Sequence, residues 1–571
     1  MPDINVNTLD EGMMIELEDM SSPDMMIDQA VAEEPNTQAL LEELYRWDRI
    51  LNVSLVLDPT DWDSLRSQTR SWVDLFGGED CLAEPFSNVF TWFEASATID
   101  GEYYPSIDVR KKGFLGSLSE TKPSLKLDLG EYISDQTHLG ARRFTLNNSV
   151  QDPAFVRQCL AYELSIQAGI PAPRCNFALV DINGVSLGLY LNIEPYKRSF
   201  FEANFGSYDG NLYEGTVSDF TENTIGTFEA KNNDEDRPVY DEIMAIYQSL
   251  EIDDDSFITS LEQVINMEQF LRFWALESLL LHSDGYSGNR NNYYLYSDPS
   301  QEGKMTFLLW GVDGVLNAYD VAEDQPKSVY LKGILAWRLY QLEEWRTRYF
   351  NVLDNLLSTL WNEDEIIDRV NALEQLLSPL ITNHEQQLDM SEAIDDLKLI
   401  ISERRQNIEE ERSETSPESP ERPDQIGCLI PNGSVRAQFR TEWGMINRDF
   451  SLWFEEGEQE LELSIGSTDF SISSVASAAG TDEEYGSRLN VVGALGFNKF
   501  VWINVSLDEE NWQSGQQEVW SEIYYSGSDS NFEFVYLASS FINLNLESGE
   551  ATEGSPIIGT LSGDVLSWSE E

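Results

Sequence analysis

Between about Arg412 and Asp424 the chain reads RSETSPESPERPD, three prolines among Ser, Thr and Glu with nothing to bury. No helix or strand runs through such a segment, so it predicts a linker over 412–425. The 571 residues are thereby divided into bodies built on different periods. Downstream, Glu460–Ile465, Phe500–Val505 and Asn531–Tyr536 alternate apolar and polar residues between Gly, Ser and Asp turns, which predicts an all-β, sandwich-like domain over 426–571. Upstream, strand patterns dominate before Leu146 and helix patterns after Val321. That order fits an α+β body of two lobes over 39–411 better than alternating βαβ units. Residues 1–38, acidic and Met-rich without periodicity, read as a flexible leader.

Charge narrows the function classes. With 36 Lys+Arg against 102 Asp+Glu and a net charge of −66, the chain cannot offer the clustered cations that nucleic acid requires. Such a strongly hydrated surface suits salt-rich surroundings, where screening removes self-repulsion. It would also attract basic partners or divalent cations. No window reaches eighteen consecutive apolar residues, so no membrane span is expected. The first residues carry no secretory signal, which leaves two readings: a cytoplasmic chain starting at Met1, or an extracellular or surface protein whose leader has been removed. Cys81, Cys159, Cys175 and Cys428 form no CxxC pair, and with three histidines a Cys/His zinc site is not expected; one or two disulfides stay open.

Against this acidic background Arg110, Lys111, Lys112, Lys122, Lys126, Arg142 and Arg143 crowd into 34 residues that hold four acids. They surround a turn, Lys112-Gly113-Phe114-Leu115-Gly116-Ser117, between the strand patterns Ile107–Arg110 and Ser124–Leu129. Backbone amides at Gly113 and Gly116, with a Lys on the next strand, can hold a polyphosphate. The same residues would also make an ordinary hairpin with solvated lysines. Asp152-Pro153 opens a helix whose apolar face is Phe155, Val156, Leu160, Leu164 and Ile166. Its Glu163 is either an exposed acid or the partner that fixes Lys126.

Leu281–Asn317 carries the most chemistry: a helix end, Asp284, the cluster Asn289, Asn291 and Asn292, a strand Tyr293–Tyr296, a turn, and a strand Met305–Trp310 ending at Asp313-Gly314. Phosphoryl transfer needs a carboxylate near the acceptor hydroxyl, an Asn on the metal and a second metal-binding Asp at a strand end. That order is present. Two surface turns using Asn, Asp and Gly for left-handed backbone would give it as well.

Taken together, RKKGFLGS with KPSLKLDL, RFTLNNSVQDPAFVRQCLAYELSIQAGIPAPR, GLYLNIEPYKRSFF with GNLYEG, the Asp284–Tyr296 block and LLWGVDGVLN resemble the CotH kinase family, the spore-coat-protein-H-like atypical protein kinases. The resemblance covers about 300 residues and leaves out the C-terminal β domain. It implies a divergent two-lobed protein-kinase-like fold and transfer of the ATP γ-phosphate to Ser or Thr of secreted or surface proteins, autophosphorylation included, with Mg²⁺ or Mn²⁺. By the same resemblance Lys126, or Lys122 in competition with it, contacts nucleotide phosphates and Glu163 orients that Lys. Asp284 is the catalytic carboxylate, Asp313 binds metal, and the metal-binding Asn is Asn289 by spacing or Asn292 by its place before a strand. Two positions depart from the family pattern. Gly311 stands where relatives commonly carry the first Asp of Trp-Asp-x-Asp, and Glu214 where a basic residue is expected. Both remove charge complementary to metal and phosphate, so the competing expectation is a weakened pseudokinase serving as an adhesion or assembly scaffold. Acceptor and oligomeric state are not readable from the sequence.

Overall fold

The computed structural model describes residues 37–232, 241–253, 256–317, 326–414, 421–448, 450–454, 459–482, 486–496, 499–506, 512, 515–526 and 534–569. The expected leader, but for its last two residues, and the middle of the expected linker lie outside them.

Seven strands close a barrel: β1 (Ile50–Val56), β2 (Phe93–Ile99), β3 (Glu102–Lys112), β4 (Ser124–Asp128), β5 (Arg143–Asn147), β6 (Cys175–Ile182) and β7 (Val185–Ile193), in the order β1-β2-β3-β4-β5-β7-β6. Two hairpins are set by residue chemistry. Asp100-Gly101 and Asn183-Gly184 each place two consecutive residues at positive φ, 49° and 86°, then 54° and 78°. Such two-residue turns match the right-handed strand twist and pin the register Ile99↔Glu102 and Ile182↔Val185. Closure comes from β1 lying parallel to β6, Ile50↔Phe177 through Leu55↔Ile182. Alternation then turns Leu51, Val53 and Leu55 inward, all fully buried.

After β5 the chain enters the helix Arg157–Gln167, which starts later than the sequence pattern suggests. Residues 153–156 form a turn, with Phe155 at φ 59°. Asp152 instead accepts from the Arg157 backbone N–H at 2.9 Å and from its Nη1 at 2.7 Å. Ile166, expected on the buried face, is half exposed. A second sheet, β8 (Leu212–Gly215), β9 (Glu229–Ala230), β10 (Tyr293–Asp298) and β11 (Lys304–Leu309), runs in the order β11-β10-β8-β9. Helices Met267–Leu279, Glu343–Thr359 and His384–Glu414 share one apolar cluster with this sheet and with the helix at 157–167. The body is mixed α+β.

The C-terminal strands are β12 (Leu429–Glu442), β13 (Glu460–Ile465), β14 (Thr468–Asp469), β15 (Ser474–Asp482), β16 (Gly486–Gly496), β17 (Lys499–Ser506), β18 (Gly515–Ser526), β19 (Phe534–Ser548) and β20 (Pro556–Trp568). They differ from the expected sandwich. All nine belong to one antiparallel sheet, β14-β13-β12-β20-β19-β18-β17-β16-β15, that curls on itself. Gly444 donates its backbone N–H to Ala479 O at 2.9 Å and Ser477 Oγ to Arg440 O at 3.2 Å, so β15 returns to β12. Alternating side chains tell which residues face inward but not whether the inner faces belong to one sheet or two. Two disulfides form, Cys81–Cys428 and Cys159–Cys175. Among the described residues, no helix is long and apolar enough to cross a membrane.

Candidate active site

A cleft of about 300 Å³ opens between the barrel and the second sheet. From β3 and the turn after it come Arg110, Lys111, Lys112, Gly113 and Gly116; from β4, Lys126; from the loops around β10 and β11, Asp284, Asn292, Gly311 and Asp313. Gly113 sits at φ 143°, where side chains are strained, and a Cβ on Gly116 would lie 2.6 Å from Gln151 Nε2. Both glycines let the turn lie close over its neighbours.

Local packing explains why the carboxylates face this space. The segment after helix Met267–Leu279 is held by Glu277, fully buried, whose carboxylate accepts from Tyr286 N (2.8 Å), Ser287 N (2.9 Å) and Ser287 Oγ (2.6 Å). Asp219, also buried, accepts from Tyr286 Oη at 3.1 Å and Ile334 N at 2.8 Å. The loop between Glu277 and Tyr286 carries Asp284. Its carboxylate takes Asn289 Nδ2 at 2.7 Å, Asn292 Nδ2 at 2.6 Å and Asn291 Nδ2 at 3.3 Å. Desolvation by the surrounding loop raises the Asp284 pKa from its ordinary value, against the pull of these three amides. Asn289 and Asn292, the two candidates for a metal-binding Asn, thus both bond Asp284, and Asn292 is the one that lines the cleft.

Asp313 lies in a short 3₁₀ turn, Val312–Gly314, after β11. Its charge reaches two cleft neighbours. Burial lowers the proton affinity of Lys112 and of His282, the latter to about 4, and in both Asp313 pulls the other way. At Gly311, φ is 55° and a Cβ would fall 2.3 Å from Asn292 Oδ1. The volume that a carboxylate at 311 would enter is filled by Asn292, itself tied to Asp284.

Two expectations are corrected. Glu163 does not face Lys126: it pairs with Arg369 at 2.7 Å, beside Trp47 in a separate surface cavity. The helix residue lining the cleft is Gln158, five positions earlier and about 140° around the axis. Lys122 does not line the cleft either. Its ammonium lies 4.8 Å from the Phe155 ring and 5.1 Å from the Tyr190 ring, where burial lowers its pKa to about 8. The acid beside Lys126 is Glu214, from β8. Its carboxylate is held 2.8 Å from Lys231, and despite the burial that opposes ionisation, Lys231 and then Lys126 draw its pKa down to about 2. The residue expected as a lost cation is therefore part of a charge-balanced cleft floor.

Glu277, Asp219 and the Lys231–Glu214 pair were not singled out by sequence reasoning. A signal existed for Glu277: it falls at helical spacing from Phe270, Phe273 and Trp274, so it belongs to an apolar face where an acid needs an internal partner. Burial raises its pKa from 4.5 to about 7 and that of Asp219 from 3.8 to about 6. The folded state then holds protons that the unfolded chain has released, so these groups lose stability as pH rises from about 4 to 7. These two carboxyls raise stability as pH is lowered from 8 toward 5, against His282, whose depressed pKa acts the other way, so Glu277→Gln is expected to lower Tm more at pH 5 than at pH 8 relative to wild type in parallel thermal scans.

A divalent cation fits the donors here in a limited way. Among the described residues no three His, Cys, Asp or Glu converge as a ready ligand set. Mg²⁺ needs fewer, since it keeps waters and takes one or two carboxylates together with phosphate oxygens. Asp313 on this cleft, one carboxylate not tied up by the Asn amides that hold Asp284, is enough for that.

A family model described as CotH kinase protein matches residues 109–414, the span that contains every residue of this cleft except those before β3. Among curated proteins, Invasin CotH2 of Rhizopus delemar is 26% identical over 275 residues, 43% of this chain and 46% of that protein. Inner spore coat protein H of Bacillus subtilis is 23% identical over 265 residues, 44% of this chain and 72% of that protein. An inner spore coat protein H-like protein of the same bacterium is 39% identical over 70 residues, 12% of this chain and 23% of that protein. The chain thus spans less than half the length of the invasin it matches.

Proposed function

This chain belongs to the CotH kinase protein family, and from that premise we propose that its cleft binds ATP and transfers the γ-phosphoryl group to Ser or Thr hydroxyls of a protein acceptor. The observation that carries the reading is convergence: residues separated by 200 positions, the Gly113–Gly116 turn and Lys126 on one wall, Asp284 and Asp313 on the other, meet on one cationic cleft. In this reading the barrel is the smaller lobe of a divergent two-lobed kinase-like fold. Backbone amides of the turn and the Lys126 ammonium orient the phosphate oxygens. Asp284, exposed to the cleft and aligned by its three Asn donors, receives the acceptor hydroxyl proton. Asp313, with the amide oxygen of Asn292, would hold Mg²⁺ or Mn²⁺, whose charge would neutralise the transferring phosphate. Acceptors would be met outside the cell or at its surface, as the names of the invasin and spore-coat relatives suggest.

Gly311 favours a second reading. With one carboxylate of the pair absent and Asn292 in its space, the cleft would bind nucleotide with little turnover and the protein would act as a surface adhesion or assembly scaffold. Incubation with γ-labelled ATP under Mg²⁺ and under Mn²⁺, with a generic acceptor and with the protein itself, separates the two. The kinase reading expects label that depends on Asp284 and Asp313. Label absent under both metals leaves the scaffold.

A further inference from the structure

The C-terminal sheet lies outside the residues the family model matches, yet it is fastened to the rim of the cleft. Cys428, just ahead of β12, is disulfide-bonded to Cys81, 347 positions earlier. The next residue, Leu429, accepts the Gly78 backbone N–H at 3.1 Å. From there a run of rings leads to the glycine turn. Trp568, at the end of β20, packs on Phe76 with centroids 5.5 Å apart; Phe76 on Phe86 at 5.7 Å; Phe86 on Phe114 at 5.9 Å. Phe114 stands between Gly113 and Gly116, and both Phe86 and Phe114 line the cleft. The segment leading into β12 also touches the opposite wall. Arg290, between Asn289 and Asn291, donates from Nη1 to Asp424 O at 2.7 Å, and Asn223 donates to Ile426 O at 2.6 Å.

We propose that the C-terminal sheet and residues 421–429 form an intramolecular clasp that positions the Gly113–Gly116 turn against the Asp284 loop, which makes Trp568, Phe76 and Phe86 positioning residues for the ligand of this cleft. That ligand rests on the nucleotide reading above; the clasp itself does not. An aromatic pair is worth enough that removing its outer ring should loosen what the last ring holds, and Trp568 is 40% exposed, so its removal spares the fold. The bonds within the turn are long: Phe114 N donates to Ser117 Oγ at 3.3 Å, Ser117 N and Oγ each to Phe114 O at 3.4 Å, and Leu118 N to Leu115 O at 3.4 Å.

The full chain tests this in two readouts, amide hydrogen exchange over 113–118 without ligand and titration with a non-hydrolysable ATP analogue and Mg²⁺. Trp568→Ala and Cys428→Ser are each expected to speed exchange of the turn amides while leaving those of Leu125–Leu127 in the barrel unchanged. Each should weaken the analogue about three- to tenfold. Trp568→Phe should restore both. Turn exchange that is unchanged in Trp568→Ala, or not restored by Phe, overturns the clasp. Should wild type bind no analogue, the nucleotide reading falls, and the exchange comparison still decides the clasp.

Discussion

Asp313→Asn is expected to lower phosphoryl transfer by at least about 100-fold while leaving the fold intact. The metal that this carboxylate holds offsets the charge on the transferring phosphoryl group, and losing one charge-stabilising group in such a site removes about 10²–10³ in rate, the scale set by oxyanion-hole donors. Asp313 also offsets the burial that depresses the proton affinity of Lys112 and His282. Its replacement should therefore lower the His282 pKa further, which NMR titration of the imidazole reads without turnover. A rate unchanged in Asp313→Asn would place the reacting phosphate elsewhere. Asp284→Asn should be as severe, at about 10²–10⁴-fold.

The second large effect is on stability. Asp152 is fully buried, and its counter-charge among the described residues, Arg157, also reaches Leu316 O at 3.5 Å and Ala393 O at 3.3 Å. Arg157→Met leaves a desolvated acid without its cation and frees the backbone just after Asp313. The expected loss is about 3–5 kcal/mol, read as a lower urea midpoint. Asp152→Leu added to Arg157→Met should recover most of it, because removing both charges lifts the desolvation penalty. If the single variant costs under about 1 kcal/mol, water reaches Asp152 in solution and the pair is a surface one.

Particular residues show what was legible from the sequence. The Gly turn and Asp313 were legible because glycines and an acid stood at strand ends, while Lys126 and Asp284 were picked out by chain order and the family resemblance. Asp100-Gly101 and Asn183-Gly184 are turn dipeptides that tolerate two consecutive positive φ values, which makes such hairpins readable from local sequence. Glu163 was not, because helical periodicity says which residues share a face but not what the face meets, and its partner Arg369 lies 206 residues on. Glu214 looked like a missing cation only while Lys231, across from it on the loop after β9, was not in view. The parallel pairing of β1 with β6 that closes the barrel, and the curl of the C-terminal sheet, both depend on contacts between distant segments that alternation alone leaves open.

The central claim is that this cleft takes a metal-bound nucleotide, an expectation common to the kinase and the scaffold readings. Calorimetric titration of the full chain with a non-hydrolysable ATP analogue, with and without Mg²⁺, tests it most directly. The account predicts saturable binding at one site per chain that needs the metal and is lost in Lys126→Met. Binding that is absent with Mg²⁺ present, or that survives Lys126→Met unchanged, would contradict it.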